Sequence, residues 1–339
     1  MEFALLPLAL VLFASLFQGS FGLGMKFMAP LKWEAWWLVH SLFAMIILPT
    51  AWALVVVPDL FEAIAQAPTE IIVLAMVFGA VWGIGGIMFG KSVPYIGMSL
   101  TYGIVLGLCA AAGSIIPYFM KDNPNAAALP YVVSGVVVMV LGVGFTAYAG
   151  ILRDKQSEGE DKAKINLKAG LVIAILSGFF SAALGIGFDA GFAEGNGIGK
   201  YAQELGATAQ NSSLAIWVVV LWGAFILNAV YSIVLLTKNK TWNSFSEPKS
   251  GKAYMWSVIA AVCWFGALGV YGQGATLMGN MGSIVGWPIL MGGGLIISNV
   301  WAYFNKEWDN AKKPFSWLMF GVVVICIGMV IIGYSNGVS

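Results

Sequence analysis

Ten long apolar runs dominate this sequence, and they constrain its fold more than any other feature. A helix needs about 20 apolar residues to cross the hydrocarbon core of a bilayer, and each run is long enough. A transmembrane β-barrel would instead show short segments of alternating polarity. The sequence therefore predicts an all-α integral membrane protein with ten transmembrane helices, at residues 4–25, 35–57, 70–91, 95–118, 129–150, 168–190, 210–236, 252–275, 283–304 and 315–334.

The composition excludes most soluble classes of protein. Charged residues make up only 10% of the 339 residues, whereas a soluble domain carries roughly 25%. This argues against a cytosolic enzyme, a nucleic-acid-binding protein and a disordered chain. Cys109, Cys263 and Cys326 all lie in apolar runs, without the Cys or His spacing of a metal site. We therefore expect no metal, no cofactor and no enzymatic activity, since an integral enzyme would need a nucleophile–base pair or a metal set.

The distribution of basic residues predicts the orientation in the membrane. Loops after the odd-numbered spans carry 15 of the 17 Lys and Arg residues, and the other loops carry only Lys121 and Lys200. Cytoplasmic loops of membrane proteins are enriched in Lys and Arg. The odd-numbered loops are therefore predicted to be cytoplasmic, with both termini on the outer side of the membrane.

The two halves of the chain resemble each other. The segment SLFQGSFGLGMK at 15–26 resembles GFFSAALGIGFD at 178–189, and the predicted spans place these segments in helices of opposite direction. The interpretation is a pair of inverted five-helix repeats at 1–150 and 168–339, joined by a charged cytoplasmic linker at 151–167. Inverted repeats with a binding site at their interface are typical of secondary transporters. A structural repeat without transport is the alternative.

Three segments resemble a known family. They are FGAVWGIGGIMFGKSVPYIGMS at 78–99, IILP at 46–49 and KEWDNAKKP at 306–314. Together with the length, the ten spans and the charged central loop, they resemble bacterial L-rhamnose–proton symporters of the drug/metabolite transporter superfamily. The resemblance implies import of a neutral deoxyhexose by proton symport with alternating access, in the bacterial inner membrane. The expected partners are a small neutral sugar, protons and the lipid bilayer, with no obligate protein partner.

Polar side chains in the apolar runs are candidates for binding a neutral sugar, because unpaired polar groups are costly in hydrocarbon. Gln18 lies near the middle of span 1, where it is either a sugar ligand or an interhelical hydrogen-bonding residue. Trp82 lies at the centre of span 3 among glycines, where it either stacks on a sugar or packs between helices.

Two further candidates are nearer the ends of their spans. Gln273 lies near the outer end of span 8, where it is either a ligand at a gate or a solvated polar residue. Asn299 follows the triple glycine at 292–294 in span 9, which is interpreted as a helix break at a binding site or as a close-packing surface.

Two residues are candidates for proton coupling, which needs a group whose pKa can reach the working range. His40 is the only histidine and lies about 9 Å along span 2 from Glu34. It is either a proton carrier or a residue bonded to a backbone carbonyl. Asp189, the only carboxylate inside an apolar run, lies near the outer end of span 6. It is either a proton acceptor or a solvated helix cap.

Other functions are open from the residues alone. An exporter or an uncoupled facilitator of the same fold, acting on another small metabolite, is the leading alternative. A receptor is disfavoured because the predicted tails are too short to form a signalling domain.

Overall fold

The computed structural model describes residues 5–96, 98–121, 123–157, 167–192 and 196–338. These residues form ten long apolar helices and no β-strand, so the predicted class and number of spans are confirmed. We number the helices in chain order: helix 1 is Leu5–Ser20 with a 3₁₀ extension Phe21–Phe27, helix 2 is Trp33–Val56, helix 3 is Thr69–Ile96, helix 4 is Met98–Met120, helix 5 is Leu129–Ser157, helix 6 is Leu167–Phe192, helix 7 is Ala209–Asn239, helix 8 is Gly251–Leu277, helix 9 is Gly282–Phe304 and helix 10 is Lys312–Ser335.

The helix boundaries differ from the predicted spans in a few places. Helix 5 continues to Ser157, into the segment predicted as a linker, while residues 158–166 of that linker lie outside the described residues. Helix 3 passes Pro94 and is described to Ile96, beyond the predicted end of span 3 at residue 91. Helix 2 contains one π-helical turn at Phe43–Ile47.

Short helices complete the connections between the long ones. They are Leu60–Gln66, Ile198–Glu204 and the 3₁₀ turns Trp242–Ser246 and Gly279–Met281. We call the face of the bundle at which helix 1 begins the N-terminal face, and the face at which it ends the basic face. Lys26 lies at the end of helix 1 on the basic face, whereas Lys121 follows helix 4 on the N-terminal face.

Glycines set the closest helix contacts. Helices 5 and 10 pack along their length, with Gly135 and Gly142 facing Gly328 and Gly321. A β-carbon on Gly142 would lie 2.8 Å from the carbonyl oxygen of Gly321. Small residues let membrane helices approach at backbone distance, where van der Waals contact replaces the hydrophobic driving force. The glycine content of the chain therefore has a direct packing role.

The helix contacts cross between the two halves of the sequence. Helix 1 packs against helices 8 and 9, and helix 6 packs against helices 3 and 4. Helix 4 contacts helix 9, and helix 2 contacts helix 7. The first five and last five helices therefore interleave instead of forming two separate blocks.

The periphery of the bundle is apolar. Large hydrophobic side chains are exposed along the helices, among them Phe13, Val77, Leu141, Phe179 and Val330. An apolar surface of this extent would be unfavourable in water but suits hydrocarbon. With ten helices long enough to span a bilayer, the chain is a multi-pass membrane protein.

Candidate functional site

A cavity of about 390 Å³ lies inside the helix bundle. This volume falls in the range of roughly 300–1,000 Å³ that is usual for small-molecule sites. Its lining reaches the ends of several helices at the basic face, at Met25, Trp33, Val93 and Tyr102. The cavity therefore extends to the basic face.

The cavity stops well short of the N-terminal face. The last lining residues in that direction are Leu184 on helix 6, Cys109 on helix 4 and Trp287 on helix 9. At 1.5 Å per residue, about 12 Å or more of helices 4 and 6 continues beyond Cys109 and Leu184. Across this distance the interior is closed by buried aromatic side chains, Phe188, Trp217 and Tyr271. Within the described residues, the cavity is thus accessible from the basic face only.

One wall of the cavity is aromatic. Trp82 on helix 3 and Trp264 on helix 8 face each other with ring centroids 5.1 Å apart. Trp33 and Trp37 stack at 5.5 Å on helix 2 and line the same cavity. Aromatic faces suit the C–H surface of a sugar ring, because both are weakly polar and flat. Trp82 lines the cavity, and its contact with a substrate stays a prediction.

The polar groups of the cavity are few and uncharged. Among the described lining residues there is no Asp, Glu, Lys, Arg or His, and the polar side chains other than Tyr and Trp are Gln18, Ser181, Asn228 and Ser298. Gln18 Oε1 is buried and has no hydrogen-bond partner. A buried acceptor without a partner is costly unless a ligand or water satisfies it. Gln18 is therefore well placed to accept a hydrogen bond from a bound hydroxyl.

Asn228 on helix 7 is a lining residue that the sequence reasoning missed. Its Oδ1 accepts from Trp37 Nε1 at 2.9 Å, and its Nδ2 donates to the carbonyl oxygen of Ala224 at 2.8 Å. It is an amide in the middle of an otherwise apolar run, the same signal that singled out Gln18. Ser181 and Ser298 carried no such signal, because serine is common in membrane helices.

The structure does not bring Gln273 and Asn299 into the cavity lining. Gln273 Nε2 donates to Asn211 Oδ1 at 3.1 Å, near the N-terminal face. Asn299 Nδ2 donates to the carbonyl oxygen of Leu295 at 2.9 Å in its own helix. Their roles as substrate ligands stay predictions.

The triple glycine before Asn299 does not break helix 9, which is continuous from Gly282 to Phe304. A β-carbon on Gly293 would lie 2.4 Å from Ser15 Oγ, and one on Gly294 would lie 2.7 Å from Gln18 Cγ. Gly293 and Gly294 thus allow helix 1 to pack closely against helix 9. The helix-break interpretation is wrong, and close packing is the reason for the three glycines.

Asp189 lies five residues beyond Leu184 on helix 6, toward the N-terminal face. Its Oδ1 accepts from Lys121 Nζ at 2.8 Å and from Ser283 Oγ. Only 6% of the Asp189 side chain and 12% of the Lys121 side chain are exposed. Asp189 is therefore a buried ion-paired carboxylate joining helices 6 and 9 to the end of helix 4, and not a solvated cap.

His40 lies behind the aromatic wall and is 1% exposed. Its ring stacks on Trp36 at 5.4 Å and on Trp37 at 5.0 Å. Neither ring nitrogen makes a hydrogen bond of normal geometry, although the backbone of Ser257 lies close enough to interact with it. His40 is thus separated from the cavity by Trp37, and its role as a proton carrier stays a prediction.

No metal centre is evident in the part of the chain that the structure describes. There, no three His, Cys, Asp or Glu side chains come together in a way that could hold a metal ion.

Comparison with known proteins identifies the family to which this chain belongs. The chain is 28% identical over 323 residues to the L-rhamnose-proton symporter of Escherichia coli O1:K1 / APEC, covering 91% of this chain and 92% of that protein. It is 26% identical, with the same coverage, to the L-rhamnose-proton symporter of Yersinia pestis (strain Pestoides F). The sequence model of the L-rhamnose-proton symport protein family matches residues 8–338. Because that match spans nearly the whole chain, the protein belongs to the L-rhamnose-proton symport protein family.

Proposed function

We propose that this protein imports L-rhamnose, or a closely related neutral deoxyhexose, together with a proton. The observation that carries the proposal is an uncharged cavity, lined by aromatic rings and a few polar side chains, in a chain of this family. The named relatives are L-rhamnose-proton symporters. The family comprises symporters and not enzymes, in agreement with the sequence prediction.

The chemistry of the lining suits a deoxysugar. A sugar hydroxyl donates to Gln18 Oε1, which is unpaired, while the ring packs on Trp82 and Trp264. The methyl group of a 6-deoxysugar has no hydrogen-bonding capacity and fits the apolar part of the wall. Gln18 and Trp82 are accordingly the proposed ligands within the cavity. Gln273 and Asn299 would have to act in another conformation.

Proton coupling is assigned to Asp189 first and to His40 second. Asp189 is a buried carboxylate near the N-terminal face, and its contacts to Lys121 and Ser283 depend on its charge. His40 contacts Trp37, which lines the cavity, so a change in its charge would be felt at the cavity wall.

The orientation follows from the basic loops. The basic face is the cytoplasmic side of the bacterial inner membrane, and both termini lie outside. With this orientation the cavity is open to the cytoplasm and closed to the outside. An alternating-access cycle then requires a second state in which the N-terminal face opens.

Two inverted repeats provide such a second state. Helix 1 contacts helices 8 and 9, and helix 6 contacts helices 3 and 4, which is the pattern expected when the two halves exchange by a two-fold rotation. Transporters with inverted repeats alternate between two states largely by rocking one repeat against the other around the binding site. The repeats are 1–150 and 168–339, with the linker 151–167 between them.

Uptake of radiolabelled L-rhamnose into proteoliposomes tests the proposal. With an inward proton gradient we expect accumulation above the outside concentration, abolished by a protonophore. Uptake that only equilibrates and ignores the gradient would indicate the alternative, a facilitator. The many tryptophans of the cavity allow a separate binding assay, in which L-rhamnose should change tryptophan fluorescence. Absence of both binding and uptake in folded protein would refute the assignment of the sugar.

A further inference from the structure

Trp287 of helix 9 lines the cavity at its N-terminal end and contacts Tyr271 of the buried aromatic cluster that closes the interior there. The Trp287 ring is buried and lies between helices 4 and 6. A β-carbon on Gly113 of helix 4 would come within 2.4 Å of this ring, and one on Gly185 of helix 6 within 2.7 Å. The indole thus occupies a slot that exists only because both flanking residues are glycine. We call Gly113, Gly185 and Trp287 the indole slot.

The same three helices are joined a second time nearer the N-terminal face. Asp189 lies one turn beyond Gly185 on helix 6, and Ser283 lies one turn before Trp287 on helix 9. Asp189 Oδ1 accepts from Ser283 Oγ and from Lys121 Nζ, which follows helix 4. The ion pair therefore covers the indole slot on the side away from the cavity.

The surroundings of Asp189 leave Lys121 as its one close cation among the described residues. The buried hydroxyl of Tyr271 on helix 8 interacts with it electrostatically. Other charged side chains described at this face are Asp59 and Glu62 at the short helix Leu60–Gln66, Glu70 at the start of helix 3, and Lys200 and Glu204, which pair with each other. Neutralising Asp189 would therefore remove the ion pair with Lys121 that covers the slot.

We propose that Lys121, Asp189 and Trp287 form a proton-controlled outer gate. With Asp189 charged, the ion pair holds helices 4, 6 and 9 together and the indole stays in its slot. A proton from the outer aqueous phase, bound to an Asp189 carboxyl oxygen, neutralises the carboxylate. Lys121 keeps its charge and is solvated by water at the membrane face, and helix 9 can then withdraw Trp287. The inference rests on the proposed function, because it gives Lys121 and Trp287 positioning roles beside Asp189. It makes proton binding and opening to the outside parts of one equilibrium.

Cys109 provides a natural reporter for this gate. It lines the cavity on the basic-face side of Trp287, so a reagent at the N-terminal face reaches it only when the gate opens. The protein retains Cys109 when Cys263 and Cys326 are replaced by Ala. It is then labelled with a membrane-impermeant thiol reagent from the N-terminal face in sealed vesicles. Rates are divided by those of the unfolded protein at the same pH, which corrects for the pH dependence of the reagent and of an exposed thiol.

The expected results follow from the charge of Asp189. Labelling should be slow at alkaline pH and faster at acidic pH. Asp189→Asn should label about tenfold faster or more at both pH values, because a buried pair that loses one partner is strongly destabilised. Glu204→Gln is the matched control, because it breaks an exposed ion pair at the same face and should behave as the parent. If neither pH nor Asp189→Asn changes the labelling rate of Cys109, the proposed gate is refuted.

A second variant tests the slot without changing any charge. Gly113→Ala should destabilise the closed gate and increase labelling, because its β-carbon meets the Trp287 ring. Gly107→Ala on the same helix is the control, since its nearest atom would be 3.6 Å away. Equal labelling of the two alanine variants would overturn the role of Trp287.

The labelling assay needs no sugar, so it separates the two proposals. A pH-dependent gate in a protein that does not transport L-rhamnose would refute the substrate and keep the gate. Proton-driven rhamnose uptake with Cys109 always protected would refute the gate and keep the function.

Discussion

The crossing of helices 3 and 7 allows a stability prediction to be worked out from distances. A β-carbon on Gly79 would lie 1.9 Å from the carbonyl oxygen of Val220, and one on Gly223 would lie 1.9 Å from that of Met76. Ordinary van der Waals contact begins at 3.4 Å. Gly79→Ala therefore requires the helices to separate locally by about 1.5 Å, the difference between 3.4 Å and 1.9 Å. No rotamer can relieve the contact, because the atom that is met belongs to the backbone.

The free-energy cost of the backbone contact is partly offset by the higher helix propensity of alanine. Overpacking a tight site costs about 1–3 kcal/mol, and a backbone contact puts this site at the upper end. Alanine regains about 0.5–1 kcal/mol of helix stability over glycine. The net expectation for Gly79→Ala is a loss of about 2 kcal/mol. The control Gly144→Ala lies in helix 5 and meets no atom within 4 Å, so it should be neutral or slightly stabilising.

The free energy of unfolding of the purified protein, measured in mixed detergent micelles, checks this prediction. Gly79→Ala should unfold at a lower denaturant concentration than the parent, and Gly144→Ala at the same or a higher one. If Gly79→Ala is as stable as Gly144→Ala, the helices do not cross at backbone distance and the packing argument is refuted.

Four further substitutions test other features of the structure. Trp82→Ala should weaken equilibrium binding of L-rhamnose roughly tenfold, because it removes one face of the aromatic wall; unchanged affinity would exclude stacking. Asn228→Ala should destabilise the protein by about 1–3 kcal/mol in denaturant unfolding, because Trp37 Nε1 loses its acceptor; an unchanged midpoint would contradict this. Lys26→Met should cost less than about 1 kcal/mol, whereas Lys121→Met should cost roughly 3–5 kcal/mol, although both ion pairs measure 2.8 Å. Equal losses for the two lysine variants would show that burial does not decide the strength of these pairs.

Much of the architecture was predictable from local properties of the sequence. The ten spans follow from run length alone, because a bilayer admits only segments whose backbone groups are satisfied internally. The family could be recognised from the segment 78–99, and the candidates Gln18 and Trp82 stood out as a lone amide and a central indole. Both signals are local, so no knowledge of the packing was needed.

Other features of the site depended on which helices meet. Asn228 gave the same signal as Gln18, but only the fold shows that both line one cavity. Asn299 and Gln273 had equally good local signals, yet each pairs elsewhere. A lone polar residue in an apolar run must find a partner, and sequence does not reveal whether that partner is a neighbour or a ligand.

The sequence by itself determined the membrane class, the number of helices and the family, because hydropathy and motif are properties of single segments. Only the tertiary structure decided that Lys121 pairs with Asp189, 68 residues later in the chain, and that Trp287 enters a slot between two glycines. These contacts join three helices from both halves of the chain. Their existence depends on helix separation at the ångström scale, which is set by the packing of the whole bundle and not by any one segment.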